Sequence, residues 1–515
     1  MTALSTSTTI GVIGAGTMGA GIAQVAANAG HDVLLFDVAK GAAQKGLAQI
    51  STGLDKLVSR GKMTQADKDS LVSRVKPVSD LQDFAPCGLV VEVIVENLDI
   101  KKDLFQQLEN ICGPDAILAT NTSSISVTSI AAGLSHPERV VGMHFFNPAP
   151  IMKLVEVVSG LATSQDVAQC VHATATQWGK HAVYAKSTPG FIVNRVARPF
   201  YAEGLRVLQE GAADIATIDA AFRECGGFRM GPFELMDLIG HDVNYAVTNS
   251  VYAAYYNDQR FLPSLIQKEL IEAGRLGRKS KIGFYDYADT APSVRVSTAE
   301  AVDIVSENVV RVTGNVAPIV SLMTALTKSS LPVTIDESDG NPAMIQVGTA
   351  TLMLTDGQFA SVKSQQSGIA NLIVFDLALN YATAKRIVLA KATQASEQAL
   401  NDAIAFFQAL GKEVSVIKDV AGLIVMRTLA MLANEGADAV FQQVCSIEDV
   451  DTAMKGGVNY PKGPMEWADE IGIDTIYTTL KGLSQTYGED RYRMSALIIK
   501  AHALASKFYS LKDKD

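Results

Sequence analysis

The stretch Ile10-Gly-Val-Ile-Gly14-Ala-Gly16-Thr17-Met18-Gly19 decides how the rest of this chain is read. A short apolar run, the signature of a strand, enters glycines at G-x-G-x-x-G spacing. A helix pattern continues through Ala29 and stops at Gly30, and a second strand, Val33 to Phe36, ends at Asp37. In such a unit the first glycine allows a tight turn. The second lets a pyrophosphate approach the backbone, and the third lets helix pack on strand. The free N–H groups at the helix start, those of Thr17 and Met18 included, suit phosphate oxygens. Asp37 follows Gly19 by 18 positions. There a carboxylate accepts hydrogen bonds from ribose hydroxyls and repels a 2′-phosphate, so the expected cofactor is NAD. The competing reading is a glycine-rich turn that binds nothing.

Outward from this unit the pattern stays mixed. Residues 45–75 read as helical and charged, and β-like runs follow at 88–95, 116–119 and 140–146. That alternation predicts a doubly wound α/β Rossmann domain at residues 8–187. After Ser187-Thr-Pro-Gly190 the texture becomes helical, predicting an all-α domain at 188–288 that closes near Gly283-Phe-Tyr-Asp-Tyr287. Beyond it, the pattern predicts a helix over 302–326, short β segments over 331–373 and a further helix over 385–410.

An internal repeat organises the whole chain. At an offset of 232, Gly190, Arg195, Glu203 and Gly204 meet Gly422, Arg427, Glu435 and Gly436. Asp219, Gly231-Pro232, Glu234 and Asp237 meet Asp451, Gly463-Pro464, Glu466 and Asp469 without a gap. Two related halves result, each an α/β part followed by a helical part. The second comprises a linker with a truncated Rossmann-like segment at 289–418 and a second helical domain at 419–515.

Composition narrows the function classes. The 515 residues suit several domains, and 44 Lys+Arg against 54 Asp+Glu argue against a nucleic-acid binder. Five scattered cysteines without a CxxC argue against a disulfide framework or a metal site and suit the cytoplasm. No apolar run is long enough to span a membrane.

The sharpest local feature is His144 with Glu156. Each lies in a β-like run, and Asn147-Pro-Ala-Pro150 between them reads as a turn. Folding there sets a carboxylate opposite an imidazole, the arrangement of a general base with its orienting partner. A solvated cross-strand ion pair has the same pattern. Glu96 and Asn121 end strands at the carboxyl edge where such sheets bind ligands, and Ser123 follows. Turn and capping chemistry also accounts for Asn121 and Ser123. Asn194 opens the first helix of the helical domain, where a plain water-facing position is the simpler reading. Lys56 and Arg60 share a helix face, suited to phosphates or merely solvated.

Together, Gly11–Gly19, Val95-Glu-Asn97, Asn121-Thr-Ser-Ser124, His144-Phe-Phe-Asn-Pro148, Lys153-Leu-Val-Glu156, Thr188–Arg195 and Leu276-Gly-Arg-Lys-Ser280 resemble the L-3-hydroxyacyl-CoA dehydrogenase family. The resemblance spans residues 8–288, and the repeat carries it onward. It implies NAD-dependent oxidation of an acyl-CoA thioester, with His144 as general base and Glu156 orienting it. It implies Ser123 and Asn194 on the substrate oxygens, Glu96 and Asn121 on the nicotinamide side, and Lys101 among the cofactor-binding residues. Asp37 falls on the ribose contact, and Lys56, with Arg60, on the CoA phosphates. Lys281 departs from the glycine usual in the family. The layout is similar to long members acting on 3-hydroxyadipyl-CoA, including those of phenylacetate breakdown, or on 3-hydroxybutyryl-CoA.

At the same offset His144, Glu156, Ser123 and Asn194 meet Asp376, Val388, Thr355 and Met426. One active site per chain is therefore expected, and 331–376 is too short for a complete nucleotide-binding sheet. Short family members pair through their helical domains. The expectation here is an intrachain pseudo-dimer of the two helical domains, with homo-oligomerisation left open. Two other functions compete: a 3-hydroxyisobutyrate-type dehydrogenase acting on free acids, and a noncatalytic NAD-binding scaffold.

Overall fold

The computed structural model describes residues 2–292, 294–302, 309–336 and 342–511. The chain forms two compact units, Met1–Arg195 with Gln442–Val458, and Val196–Phe441 with Asn459–Asp515.

The first unit is built on eight strands: β1 Thr9–Ile13, β2 Val33–Phe36, β3 Val75–Pro77, β4 Cys87–Glu92, β5 Ile117–Thr120, β6 Val140–Phe145, β7 Leu154–Ser159 and β8 His181–Lys186. Their order is β3-β2-β1-β4-β5-β6-β7-β8. All pairs are parallel except β6 with β7. Ile10, Val12, Leu89 and Val91 are fully buried in the centre, as expected of strands covered on both faces. The order reverses between β1 and β4, the switch point at which such sheets bind ligands, and the glycine-rich turn follows β1.

Helix Ile447–Val458, from the far end of the sequence, belongs to this unit and packs on β7 and β8. A Cβ placed on Gly457 would come within 2.8 Å of Leu154 Cδ2 and 2.9 Å of Val193 Cγ2, so the absence of a side chain permits the approach. Lys186 N donates to Val444 O at 2.8 Å at the start of the same segment.

The second unit carries a seven-stranded sheet: β9 Val310–Thr313, β10 Val333–Asp336, β11 Met344–Val347, β12 Ala350–Leu354, β13 Leu372–Phe375, β14 Arg386–Lys391 and β15 Glu413–Val416, in the order β10-β9-β11-β12-β13-β14-β15. This corrects three expectations. Residues 303–308 of the helix expected over 302–326 lie outside the described residues, and Val310–Thr313 is a strand; the helix is only Val320–Thr327. Its alternating valines, both fully buried, are the period of a strand. Arg386–Lys391 is a strand as well, because a short apolar run buried on both faces has no periodicity to distinguish it from a helix. The sheet is therefore wider than 331–376, drawing strands from either side. Where the first sheet uses crossover helices, β11 and β12 join antiparallel through Gly348 and Thr349.

The repeated acids of the helical domains are framework. Asp219 accepts from Phe233 N and Glu234 N, both at 3.0 Å. Asp237 accepts from Phe284 N and Tyr285 N, both at 2.9 Å, and Asp469 from Phe508 N and Tyr509 N at 2.6 and 3.1 Å. Each carboxylate closes a loop that would otherwise bury unpaired amides. Helix Arg198–Gln209 packs on helix Val425–Phe441, where Arg427 Nε donates to Glu203 Oε2 at 2.7 Å, both side chains being buried.

Candidate active site

The site is assembled in the first unit from the carboxyl ends of β1, β2, β4 and β5, the β6–β7 hairpin and the segment leading into helix Val193–Val196. At its cofactor end, Gly14 has φ +103° and Gly19 lies against the Gly14 carbonyl, so neither tolerates a side chain. A Cβ on Gly16 would meet nothing within 4 Å, which leaves open space above the turn. Helix Thr17–Asn28 starts there without a side-chain cap. This is a cradle for an anion at a helix N-terminus. Asp37 is clamped at the end of β2, its oxygens accepting from Ala15 N at 2.8 Å and Ala39 N at 2.9 Å. A dinucleotide fits these residues: open space over the phosphate turn, free amides, and a fixed carboxylate beside them.

The next layer is a carboxylate network. Glu92, fully buried at the end of β4, accepts from Lys101 Nζ at 2.6 Å, Thr120 Oγ1 at 2.8 Å and Ile94 N at 2.7 Å. Lys101 also lies 3.3 Å from Glu96. Glu96 accepts from Thr122 Oγ1, from Ser123 N at 3.2 Å and from Ser124 Oγ at 2.8 Å. Partial burial pushes the Glu96 carboxyl up, but the Thr122 hydrogen bond, the Lys101 ammonium and the Ser124 hydroxyl outweigh it and hold it below its ordinary range. Glu96 thus fixes the loop that carries Ser123. Lys101, only 1% exposed, holds both acids and reaches outward only through Glu96. Asn121 Oδ1 accepts from Phe145 N at 2.8 Å, tying β5 to the backbone beside His144.

His144 and Glu156 are direct partners in the antiparallel register of β6 and β7. His144 Nδ1 stands 2.6 Å from Glu156 Oε2, with both residues buried. A carboxylate accepts only, so Nδ1 carries the hydrogen, and in the neutral ring Nε2 presents its lone pair. Phe146 and Phe191 pack on the ring, their centroids 4.6 and 5.8 Å away. The other oxygen of Glu156 accepts from Ile192 N at 3.0 Å and Val193 N at 2.9 Å. These amides begin helix Val193–Val196, whose second residue is the half-buried Asn194. The approach is strained at Phe191, which has φ +48°, after Gly190 at φ +76°. One carboxylate therefore fixes the imidazole and the segment bearing Asn194. Lys180 supports the turn after β6, donating to Ala149 O at 2.5 Å and Met152 O at 2.8 Å.

Lys56 and Arg60 stand apart from this cluster. Lys56 is exposed in the last turn of helix Ala42–Ser59, and Arg60 is exposed just past its end. The sequence reading passed over Glu92 and Lys180. Glu92 had a signal, a lone carboxylate inside an apolar strand; Lys180 had none. It also passed over a second pair, His241 Nε2 at 2.7 Å from Asp237, fully buried, with the acid in helix Pro232–Ile239 and the imidazole at the start of the next helix. That imidazole sits in the loop-closing framework.

Comparison with known proteins places this geometry. The NAD-binding domain of 3-hydroxyacyl-CoA dehydrogenase matches residues 9–188, and the C-terminal domain of the same family matches twice, at 190–287 and 422–508. The reduced Rossmann-fold domain of 3-hydroxybutyryl-CoA dehydrogenase matches 352–420. A 3-hydroxyadipyl-CoA dehydrogenase of Escherichia coli (strain K12) is 42% identical over 98% of this chain and 99% of its own. A 3-hydroxybutyryl-CoA dehydrogenase of Clostridioides difficile is 42% identical over 54% of this chain and 99% of its own. The crystal structure of a 3-hydroxybutyryl-CoA dehydrogenase from Escherichia coli K12 superposes with a TM-score of 0.87 at 43% identity, covering 98% of this chain and 99% of that one. The chain therefore belongs to the 3-hydroxyacyl-CoA dehydrogenase family of NAD-dependent oxidoreductases, in a form whose C-terminal domain is repeated.

Proposed function

We propose that this chain oxidises the C3 hydroxyl of L-3-hydroxyadipyl-CoA to the ketone, with His144 as the general base. The observation that carries the mechanism is the buried His144–Glu156 pair at 2.6 Å. The choice of acyl group rests on the end-to-end similarity to the relative named for 3-hydroxyadipyl-CoA. A second reading, 3-hydroxybutyryl-CoA, is favoured by the name of the similar solved structure.

Gly14, Gly16, Thr17, Met18 and Gly19 would hold the NAD phosphates, Asp37 the ribose, and Glu96 and Asn121 the nicotinamide side, with Lys101 acting through Glu96. When bound, NAD supplies the hydride acceptor. His144 Nε2 takes the proton of the C3 hydroxyl, and Glu156 holds the imidazole in the required tautomer and stabilises the imidazolium. In the reverse direction the same nitrogen returns the proton to the ketone oxygen. Ser123 and Asn194 hydrogen-bond the substrate oxygens and fix C3 in place. Lys56 and Arg60 would meet the CoA phosphates from their exposed positions.

The chain divides into a Rossmann domain at 8–187, a helical domain at 188–288, a linker and reduced sheet at 289–418 and a noncatalytic helical domain at 419–515. The two helical domains form an intrachain pseudo-dimer. Its support is the packing of helix Arg198–Gln209 on helix Val425–Phe441 and the buried Arg427–Glu203 pair. A cytoplasmic setting fits five cysteines that are all unpaired, four of them buried.

The test is NADH formation with 3-hydroxyadipyl-CoA, 3-hydroxybutyryl-CoA and free 3-hydroxyisobutyrate. A higher kcat/KM on the adipyl ester supports the proposal, and preference for the butyryl ester supports the second reading. Turnover of the free acid alone, or of nothing, rejects both.

A further inference from the structure

The second unit holds a cavity of about 250 Å³ at one edge of its seven-stranded sheet. β9 and β12 are both antiparallel to β11, so they run the same way and their carboxyl ends share that edge. Asn315 follows β9 there, and Thr355 and Asp356 follow β12. The start of helix Ile473–Tyr487 adds Asp474, Thr475 and Thr478 to the wall. Open α/β sheets bind their ligands outside the carboxyl ends of their strands. The 232-residue offset relates this helix start to His241 and Thr355 to Ser123. A hydroxyl therefore persists in the second half, where the equivalents of His144, Glu156 and Asn194 have changed.

Thr355 is 1% exposed, and its Oγ1 has no partner among the described residues. Its amide is satisfied, donating to Phe375 O at 3.0 Å, so only the hydroxyl is spare. A buried hydroxyl left unbonded costs about 1–3 kcal/mol, which favours whatever bonds it. Asn315 Oδ1 accepts from Ala317 N at 3.0 Å, which leaves its amide nitrogen to donate. The charges of the wall are already matched. Lys363 Nζ donates to Asp356 Oδ2 at 2.7 Å, and the exposed Asp474 lies 2.8 Å from His502 Nδ1. An ionic ligand would find no free counter-charge here. Pro318, Ile319 and Met353 supply apolar surface. The wall thus suits a neutral, partly apolar molecule that both donates and accepts.

We propose that this cavity binds a neutral carboxamide, with Thr355 as the group that recognises it. A carboxamide offers N–H donors and a carbonyl acceptor without charge, and a threonine hydroxyl meets either. Two sources share that chemistry, and both rest on the reaction proposed above: the nicotinamide of NAD and the pantetheine arm of an acyl-CoA. Asp376 stands where the base would be, so the site binds without reacting.

The test is calorimetric titration of the full-length protein with nicotinamide, with pantetheine and with nicotinate, the charged counterpart of nicotinamide. Binding at the first half's site is common to all variants, so differences between variants read the cavity. Thr355→Val swaps an unbonded buried hydroxyl for a methyl, which the fold tolerates. It should weaken carboxamide binding at the cavity about 10-fold or more, with NADH formation unchanged. Ala343→Phe, which fills the cavity, should do the same. Thr355→Ser keeps the hydroxyl and should bind as the wild type does. An effect confined to nicotinamide assigns the cofactor source, one confined to pantetheine assigns the thioester source, and an effect on both assigns the shared carboxamide. Equal titrations of wild type and Thr355→Val overturn the proposal. So does equal loss in Thr355→Ser and Thr355→Val, or nicotinate bound at the cavity as tightly as nicotinamide. If the wild type oxidises neither thioester, the proposed reaction fails, and the titration still decides the cavity.

Discussion

Glu156 binds His144 through one oxygen and the start of the Asn194 helix through the other, at 2.6 Å from the imidazole and 2.9 to 3.0 Å from the two amides. The second half keeps the amides and changes the holder. Asp376, at the position of His144, accepts from Ile424, Val425 and Met426 N at 2.9, 2.8 and 2.9 Å. The equivalent of Glu156 is Val388, in the next strand. A carboxylate one strand over does the same structural work with no imidazole to orient, so the fold survives while the base is gone.

Replacing His144 with Ala is expected to lower kcat by about 10²–10⁴-fold, the usual contribution of a general base. NAD affinity, measured by fluorescence titration, should not change. Glu156→Gln should lower kcat at least about 10²-fold, since an amide cannot accept on both sides as the carboxylate does. Wild-type turnover in either variant would remove the pair from the mechanism.

Gly457 touches Val193, whose amide is held by Glu156. Gly457→Leu should displace that segment and cut kcat about 10- to 100-fold, the scale of a misplacement near 1 Å, with NAD affinity unchanged. Gly457→Ala should do less. Steady-state kinetics at saturating NAD reads the difference, and equal kcat in all three proteins would show that the helix plays no part.

Arg427→Met should destabilise the protein by about 3–5 kcal/mol in urea unfolding, because it removes the guanidinium bonded to the buried Glu203 carboxylate and leaves it the Tyr492 hydroxyl. The double variant with Glu203→Leu should recover much of that loss. Deleting residues 420–515 exposes the buried face of helix Arg198–Gln209, so aggregation or new self-association is expected by size-exclusion chromatography. A stable, active monomer would contradict the pseudo-dimer.

Lys281, the departure from the family's glycine, has φ +60°. Lys281→Gly should relieve about 1–2 kcal/mol of left-handed strain and give back part of it as unfolded-chain entropy. The net gain expected is about 0.5–1 kcal/mol, read as a higher urea midpoint. A lower midpoint would mean that the lysine side chain contributes packing.

Burial, and then the neighbouring Lys153, pushes Lys180 down to about 8. An unfolded lysine titrates near 10.4. Between about pH 8 and 10.4 the unfolded chain therefore binds more protons, so this group makes stability rise with pH across that window. Below it both states are protonated and the contribution is flat. Lys180→Met should abolish the rise, at a cost of about 1–3 kcal/mol from the carbonyls of Ala149 and Met152 left unbonded. An unchanged slope in urea unfolding from pH 8 to 10 would refute the assignment.

What the sequence alone determined lies in local spacing. The glycine turn with Asp37, the facing of His144 and Glu156 across the connection of their two strands and the 232-residue repeat all depend on short-range geometry or on counting. The pattern failed at Arg386–Lys391, where a short buried run has no period to separate strand from helix, and at Val310–Thr313, whose strand alternation spans only four residues. Only the tertiary structure decided that Glu156 also holds the amides before Asn194, that Lys101 serves Glu92 and Glu96, and that helix Ile447–Val458 covers β7. Spacing cannot specify such relationships, because each depends on which distant groups are excluded from water together, and a buried polar group is stable only with whatever partner the packed chain brings to it.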